Sequence, residues 1–136
     1  MDNGLYLRLI DSAIEARKNS YSPYSRFKVG ASILVDDSRI FSGCNIENAS
    51  YGASNCAERT AIFNAVSTGY KAIHAICVVG AFDDYTYPCG ICRQVMLEFA
   101  HNGDIPIIIA KDRDNFIVHK LSEIITFNFG KKDLSL

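Results

Sequence analysis

The chain has 136 residues, of which 49% are apolar and 21% charged, a composition that suits one soluble globular domain over residues 1–136. Its formal net charge is -1, with Lys and Arg scattered among Asp and Glu, so the basic excess or stripe of a nucleic-acid binder is missing. No apolar run is long enough for a membrane span, and the start, Met1-Asp2-Asn3-Gly4, lacks the basic and apolar regions of a secretory leader; a cytoplasmic location is expected, with neither nucleic acid nor membrane as partner.

Leu5 to Ser20 reads as an amphipathic helix, with Leu5, Leu9, Ala13 and Ala16 on one row and Tyr6, Ile10 and Ile14 on the next. Pro23 pushes Ser22 out of helical geometry, so Tyr21 to Ser25 is a break. Phe27, Val29, Ala31, Ile33 and Val35 alternate on one face of a strand, Asp36 to Ser38 turns the chain, and Arg39 to Ile46 returns as a hairpin partner. Glu47 to Asn55 is a polar loop. A helix follows over 56–68, with Gly69 at its stop. The β-branched run 73–81 predicts a strand buried on both faces. Pro88 precedes a helix over 89–101 that ends near Gly103, and strands are expected over 105–110 and 116–119. Strand–helix–strand units imply parallel pairs, and the short turn at 112–115 implies an antiparallel last pair. The sum is an α/β sandwich with a mixed sheet.

Five cysteines without a leader argue against a disulfide framework. Cys77, within Ile76-Cys77-Val78-Val79, reads as a small buried hydrophobe, and Cys44 as packing. Cys89-Gly90-Ile91-Cys92 alone is compatible with a redox pair, half a structural zinc site or coincidence. Cys56 adds a third thiol at a second helix start, which suits a zinc site with one coordination position left open. His74, His101 and His119 are the candidate fourth ligands, and each reads better as a surface or satisfied histidine. Three thiolates on Zn²⁺ leave a net charge of about -1, which two helix N-termini would offset. Arg59 either donates hydrogen bonds to a thiolate sulfur or is an exposed helix cation. Glu58, two positions after Cys56, suits a proton-transferring carboxylate beside a metal, and equally an ordinary first-turn glutamate. Spacing alone does not choose between them.

Cys56-Ala57-Glu58 followed by Pro88-Cys89-Gly90-Ile91-Cys92 resembles the zinc deaminase signature. Tyr21-Ser22-Pro23-Tyr24-Ser25-Arg26-Phe27-Lys28-Val29-Gly30-Ala31 and Gly43-Cys44-Asn45-Ile46-Glu47-Asn48-Ala49-Ser50-Tyr51-Gly52 extend the resemblance to the cytidine deaminase family over nearly the whole chain. That resemblance implies a three-layer α/β/α sandwich with a mixed five-stranded sheet, one Zn²⁺ per chain on Cys56, Cys89 and Cys92, and Glu58 as catalytic proton shuttle. It further implies nucleoside contacts by Phe27, Asn45, Glu47 and Ala57. It also implies a homotetramer in which Tyr51 and Phe129 of a neighbour complete each site. Ile124-Ile125-Thr126-Phe127-Asn128-Phe129 lacks the family's usual proline before that aromatic, so Phe127 is the alternative, and Ile91 replaces the usual alanine. Three rivals set different requirements. A nucleic-acid deaminase calls for basic charge, a zinc-stabilised binding module for a fourth ligand, and a thiol redox protein has no use for Cys56.

Overall fold

The computed structural model describes residues 3–135; Met1, Asp2 and Leu136, at the ends of the expected domain, lie outside the described residues. Among the described residues, five strands form one sheet in the order β2-β1-β3-β4-β5, where β1 is Gly30–Val35, β2 Ile40–Cys44, β3 Ile73–Val79, β4 Pro106–Ala110 and β5 Phe116–Lys120. The helices are α1 (Asn3–Arg17), α2 (Ala57–Thr68), α3 (Gly90–Phe99) and a single turn, α4 (Leu121–Ile124), which the sequence pattern had not suggested. None of these helices is long and apolar enough to cross a membrane.

Period-two alternation sorts the central strands into two faces. Leu34, Ala75, Cys77, Val79, Ile108 and Ala110 face Leu9, Ile10 and Ala13 of α1. On the opposite face Ile33, Val35, Ile76, Val78, Ile107 and Ile109 meet Ala61, Ile62 and Ala65 of α2 and Met96 of α3. Helices therefore cover both sides of the sheet, the expected three layers, and each fully buried isoleucine contributes roughly 2 kcal/mol of apolar burial. Cys77 is fully buried, as expected of a small hydrophobe, and its burial pushes the thiol pKa far up. Ser32 is the polar exception within β1, and its hydroxyl donates to the Leu9 carbonyl at 2.5 Å.

Element ends differ from the periodicity for local reasons. The first helix stops at Arg17, and three bonds of the tighter i→i+3 kind carry the chain on to Ser20. Gly69 ends α2 at φ +111° with its N–H bonded back into the last turn, as a glycine stop should. The helix α3 ends two residues early because Ala100 is already extended and bridges Ile73.

The strand order departs from the expected parallel units in one place. β3 pairs with β4 in parallel through α3, and β4 with β5 antiparallel, both as anticipated. The unit β2–α2–β3 does not close a parallel pair, because β3 docks antiparallel on β1. Every residue of β1 is buried, so that strand needs neighbours on both edges, whereas β2 is mostly half-buried and stays outside. This order brings three chain segments to one end of the sheet. Gly30 pairs with Cys44 on one side and Val79 on the other, so residues 27–29, 45–47 and 80–89 emerge together.

Candidate metal centre and substrate cavity

Two helices begin at that end of the sheet. Cys56 is the N-cap of α2 and Cys89 the N-cap of α3, with the Cys89 sulfur accepting the backbone N–H of Cys92 at 3.5 Å. Cys92 follows one turn into α3 and is fully buried. The helix α2 reaches the centre because Gly43 of β2 has no side chain. A Cβ there would lie 2.6 Å from the Ala61 nitrogen and 2.8 Å from the Thr60 side chain.

The Sγ atoms of Cys56, Cys89 and Cys92 lie within 4.8 Å of one another, the single such cluster of potential metal ligands among the described residues. Cys56 Sγ and Cys89 Sγ are 3.8 Å apart. Tetrahedral Zn–S bonds of about 2.3 Å require sulfurs about 3.8 Å apart, so the donor set fits Zn²⁺. Contact with Cys92, then the Arg59 guanidinium, pulls Cys56 down to about 5 against the effect of burial. The same contact with Cys56, followed by burial, pushes Cys92 far up. No histidine joins the set, and all three have other partners. His74 bonds Asp36 at 2.6 Å, His101 contacts Asn102 at 3.1 Å, and His119 bonds the Tyr87 hydroxyl at 3.0 Å.

Glu58 is 4% exposed, and burial first of all, with the charge of Cys56 adding to it, raises its pKa to about 7. A first-turn glutamate serving only the helix dipole would point to solvent, and Glu58 does not. Arg59 is not an exposed cation either. Its Nη2 donates to Cys56 Sγ at 3.3 Å, and its buried Nε has no hydrogen-bond partner among the described residues.

A cavity of about 240 Å³ opens beside the thiols, walled by Phe27, Asn45, Glu47, Ala57, Glu58 and Tyr87. The structure thus brings together every residue expected of the metal and nucleoside sites within one chain. Asn45 is heavily used. Its Oδ1 accepts from Val29 N at 3.0 Å and from the Ser20 hydroxyl, and its Nδ2 donates to Phe27 O at 2.7 Å, which leaves one amide N–H. Glu47 Oε1 accepts from Tyr24 N at 3.0 Å and Ser25 N at 3.1 Å, and Oε2 accepts from the Ser25 hydroxyl. The Ser25 hydroxyl is the main reason the Glu47 carboxyl sits below its ordinary value. One acceptor position remains on Oε2. Tyr51 and Phe129 stand apart from this cavity, 77% and 61% exposed, and Phe127 is wholly exposed at φ +49°. Ile91 is also exposed and disturbs no packing. Ser20, Ser25 and Tyr87 were not singled out by their sequence. Only the adjacency of Tyr87 to Pro88-Cys89 hinted at the last.

A mixed sheet with three thiols at two helix caps, a buried carboxylate beside them and an adjoining cavity defines a zinc-dependent hydrolase. Residues 5–107 match the family described as the cytidine and deoxycytidylate deaminase zinc-binding region, so the chain belongs to the cytidine deaminase family and its cofactor is Zn²⁺. A cytidine deaminase of Sporosarcina psychrophila is 42% identical over 128 residues, 94% of this chain and 93% of that one. The crystal structure of cytidine deaminase from Burkholderia pseudomallei superposes with a TM-score of 0.83 at 42% identity, covering 90% of this chain and 97% of the other. The Mycobacterium tuberculosis enzyme gives 0.80 at 37% identity, covering 92% and 97%.

Proposed function

We propose that this protein hydrolyses cytidine and deoxycytidine to uridine and deoxyuridine, consuming one water and releasing one ammonia. The observation that carries the reading is the buried Glu58 carboxyl beside a three-thiol cluster at the wall of a nucleoside-sized cavity. Cys56, Cys89 and Cys92 would hold Zn²⁺, which would lower the pKa of water towards neutrality when bound. Glu58 accepts a proton from the attacking water and delivers one to ring nitrogen N3, which makes C4 more electrophilic for attack by the water oxygen. The same carboxylate then takes the proton of the hydroxyl newly formed at C4 and passes it to the amino group, which leaves as ammonia while C4 becomes the carbonyl of uridine. Burial raises the pKa of Glu58, and this supports a carboxyl that holds a proton between one transfer and the next.

The other residues orient. The partial positive ends of α2 and α3 and the Arg59 guanidinium offset the thiolate charge. Phe27 packs against the nucleoside, and the Ala57 backbone meets the pyrimidine edge. The remaining N–H of Asn45 and the remaining acceptor of Glu47 hold a sugar hydroxyl, one as donor and the other as acceptor. The chain acts as a single domain in a cytoplasmic homotetramer serving pyrimidine salvage. Tyr51 and Phe129 close a neighbour's cavity, a role their exposure supports, and Phe127 shares that support.

The test is the ultraviolet absorbance of zinc-loaded protein with cytidine over time, with ammonia assayed in parallel. The wild type is expected to consume the cytidine band and release equimolar ammonia, and Glu58→Gln to keep zinc and lose about 10²–10⁴-fold in kcat. Substantial kcat in zinc-loaded Glu58→Gln would exclude the shuttle. An inert wild type with one zinc per chain would exclude cytidine as substrate.

A further inference from the structure

Opposite in sequence to the Phe27 loop, the cavity has a second aromatic wall that no part of the mechanism uses. Tyr87 lines the cavity together with Ala57, Glu58 and Cys89 and is 43% exposed, so it is open to solvent as well as to the cavity. Its backbone is braced on both sides. Thr86 packs onto Gly80 so closely that a Cβ on the glycine would lie 2.2 Å from Thr86 Oγ1, which also accepts the Ala81 N–H at 3.4 Å. After it, the Pro88 carbonyl accepts from Arg93 Nε at 2.8 Å, and Cys89 caps α3. The ring keeps only its own two torsions, and these are restrained from the far edge of the sheet. The Tyr87 hydroxyl and His119 Nε2 are 3.0 Å apart, a hydrogen bond in either tautomer of the imidazole, with the rings 5.5 Å apart. His119 is itself set by the β4–β5 ladder, opposite Ile107.

Resting on the nucleoside-deaminase reading above, we propose that Tyr87 contacts the substrate as a preset aromatic wall, and that His119 is the positioning residue that holds the ring. The pair thereby sets nucleoside affinity and the size of substituent the cavity admits. A ring held before binding loses little freedom when an aromatic base packs against it. Releasing the ring should therefore weaken the ground state and the transition state alike, raising KM with little change in kcat.

The experiment compares zinc-loaded wild type, Tyr87→Phe, His119→Ala, the double variant and Tyr87→Ser. Zinc content and melting temperature are checked for each. Equilibrium binding of uridine, which does not react, is measured beside steady-state kinetics on cytidine and on cytidines enlarged at C5 or on the sugar. Tyr87→Phe and His119→Ala are each expected to raise the uridine Kd and the cytidine KM about three- to tenfold with kcat within about twofold. The double variant should be no worse than either single one, because both remove one hydrogen bond. Tyr87→Ser should weaken cytidine binding further and narrow the preference over enlarged nucleosides. Native uridine affinity and unchanged preference in the Tyr87 variants would overturn the wall. Additive effects of Tyr87→Phe and His119→Ala would overturn the positioning role. A wild type that binds neither uridine nor cytidine would overturn the nucleoside reading itself, a result distinct from the other two.

Discussion

Gly43 connects the sheet to the metal centre, and substituting it measures that connection. In Gly43→Ala the new methyl group would sit 2.6 Å from the Ala61 nitrogen, against an ordinary contact of at least 3.4 Å, so α2 and β2 must separate by about 0.8 Å. The obstructing atom is helix backbone, which cannot rotate out of the way. Overpacking of this kind costs about 1–3 kcal/mol, equivalent to roughly 4–12 °C in Tm for a chain of this size. The displacement also falls on the site, since Cys56 and Glu58 lie at the start of α2 and Asn45 two residues beyond the glycine. A sulfur moved by most of an ångström leaves the 3.8 Å spacing that Zn²⁺ requires, so zinc affinity should fall about tenfold or more. Thermal melting of the zinc-loaded protein and competition with a chromophoric chelator read the two effects, with Gly52→Ala as control because nothing lies within 4 Å of a Cβ there. Native Tm and native zinc affinity in Gly43→Ala would refute the claim that this contact sets the position of α2.

Cys89→Ala removes one donor and the α3 cap together, so it should lose zinc and melt at lower temperature; full zinc occupancy measured by metal analysis would exclude Cys89 as a ligand. Chelation of the metal should expose Cys56 and Cys89 to a thiol reagent at neutral pH, with Cys56 reacting fast because contacts with Cys92 and the Arg59 guanidinium lower its pKa, whereas fully buried Cys77 should react only on unfolding. Peptide mapping of the labelled protein checks the order. Asp104 receives Ile105 N and Ser122 N at 3.0 Å and the Ser122 hydroxyl at 2.7 Å; burial opposes ionisation, but these donors prevail and lower its pKa. A carboxylate with a lowered folded pKa adds stability above its unfolded value, about 4, and loses it as pH falls through the folded one. Urea denaturation should therefore show a shallower acid loss in Asp104→Asn than in the wild type below about pH 4, and identical slopes would refute the assignment.

The chemistry-bearing residues were largely legible before any coordinates because their signals are local. Cys56, Cys89 and Cys92 sit within a turn of two helix starts, where spacing constrains direction, whereas for Glu58 spacing left two readings and only the family resemblance preferred one. The histidines read as surface or satisfied residues from their places in a strand, at a helix end and after a strand, and each has another partner: Asp36, Asn102 and Tyr87. Asn45 shows what a local signal omits. The resemblance marks it as a nucleoside contact, and the structure spends most of its hydrogen-bonding capacity on Val29, Phe27 and Ser20, with one N–H left over. Tyr87 and His119 are 32 positions apart in the chain, and no periodicity joins them.

By itself, then, the order of residues determined the helix and strand periods, the burial of Cys77 and the pairing of Cys89 with Cys92, all of which depend on spacing within a few turns or strand repeats, whereas Cys56, 33 positions before Cys89, was joined to them through the family resemblance. Only the tertiary structure decided that β3 lies beside β1, which brings residues 27–29, 45–47 and 80–89 to one rim. Only the tertiary structure buried Glu58 deeply enough to raise its pKa towards 7, because desolvation depends on what the rest of the chain packs around a carboxyl. Strand order and burial are set by pairing and packing across long loops, and the free energy of those contacts is not written in any one segment.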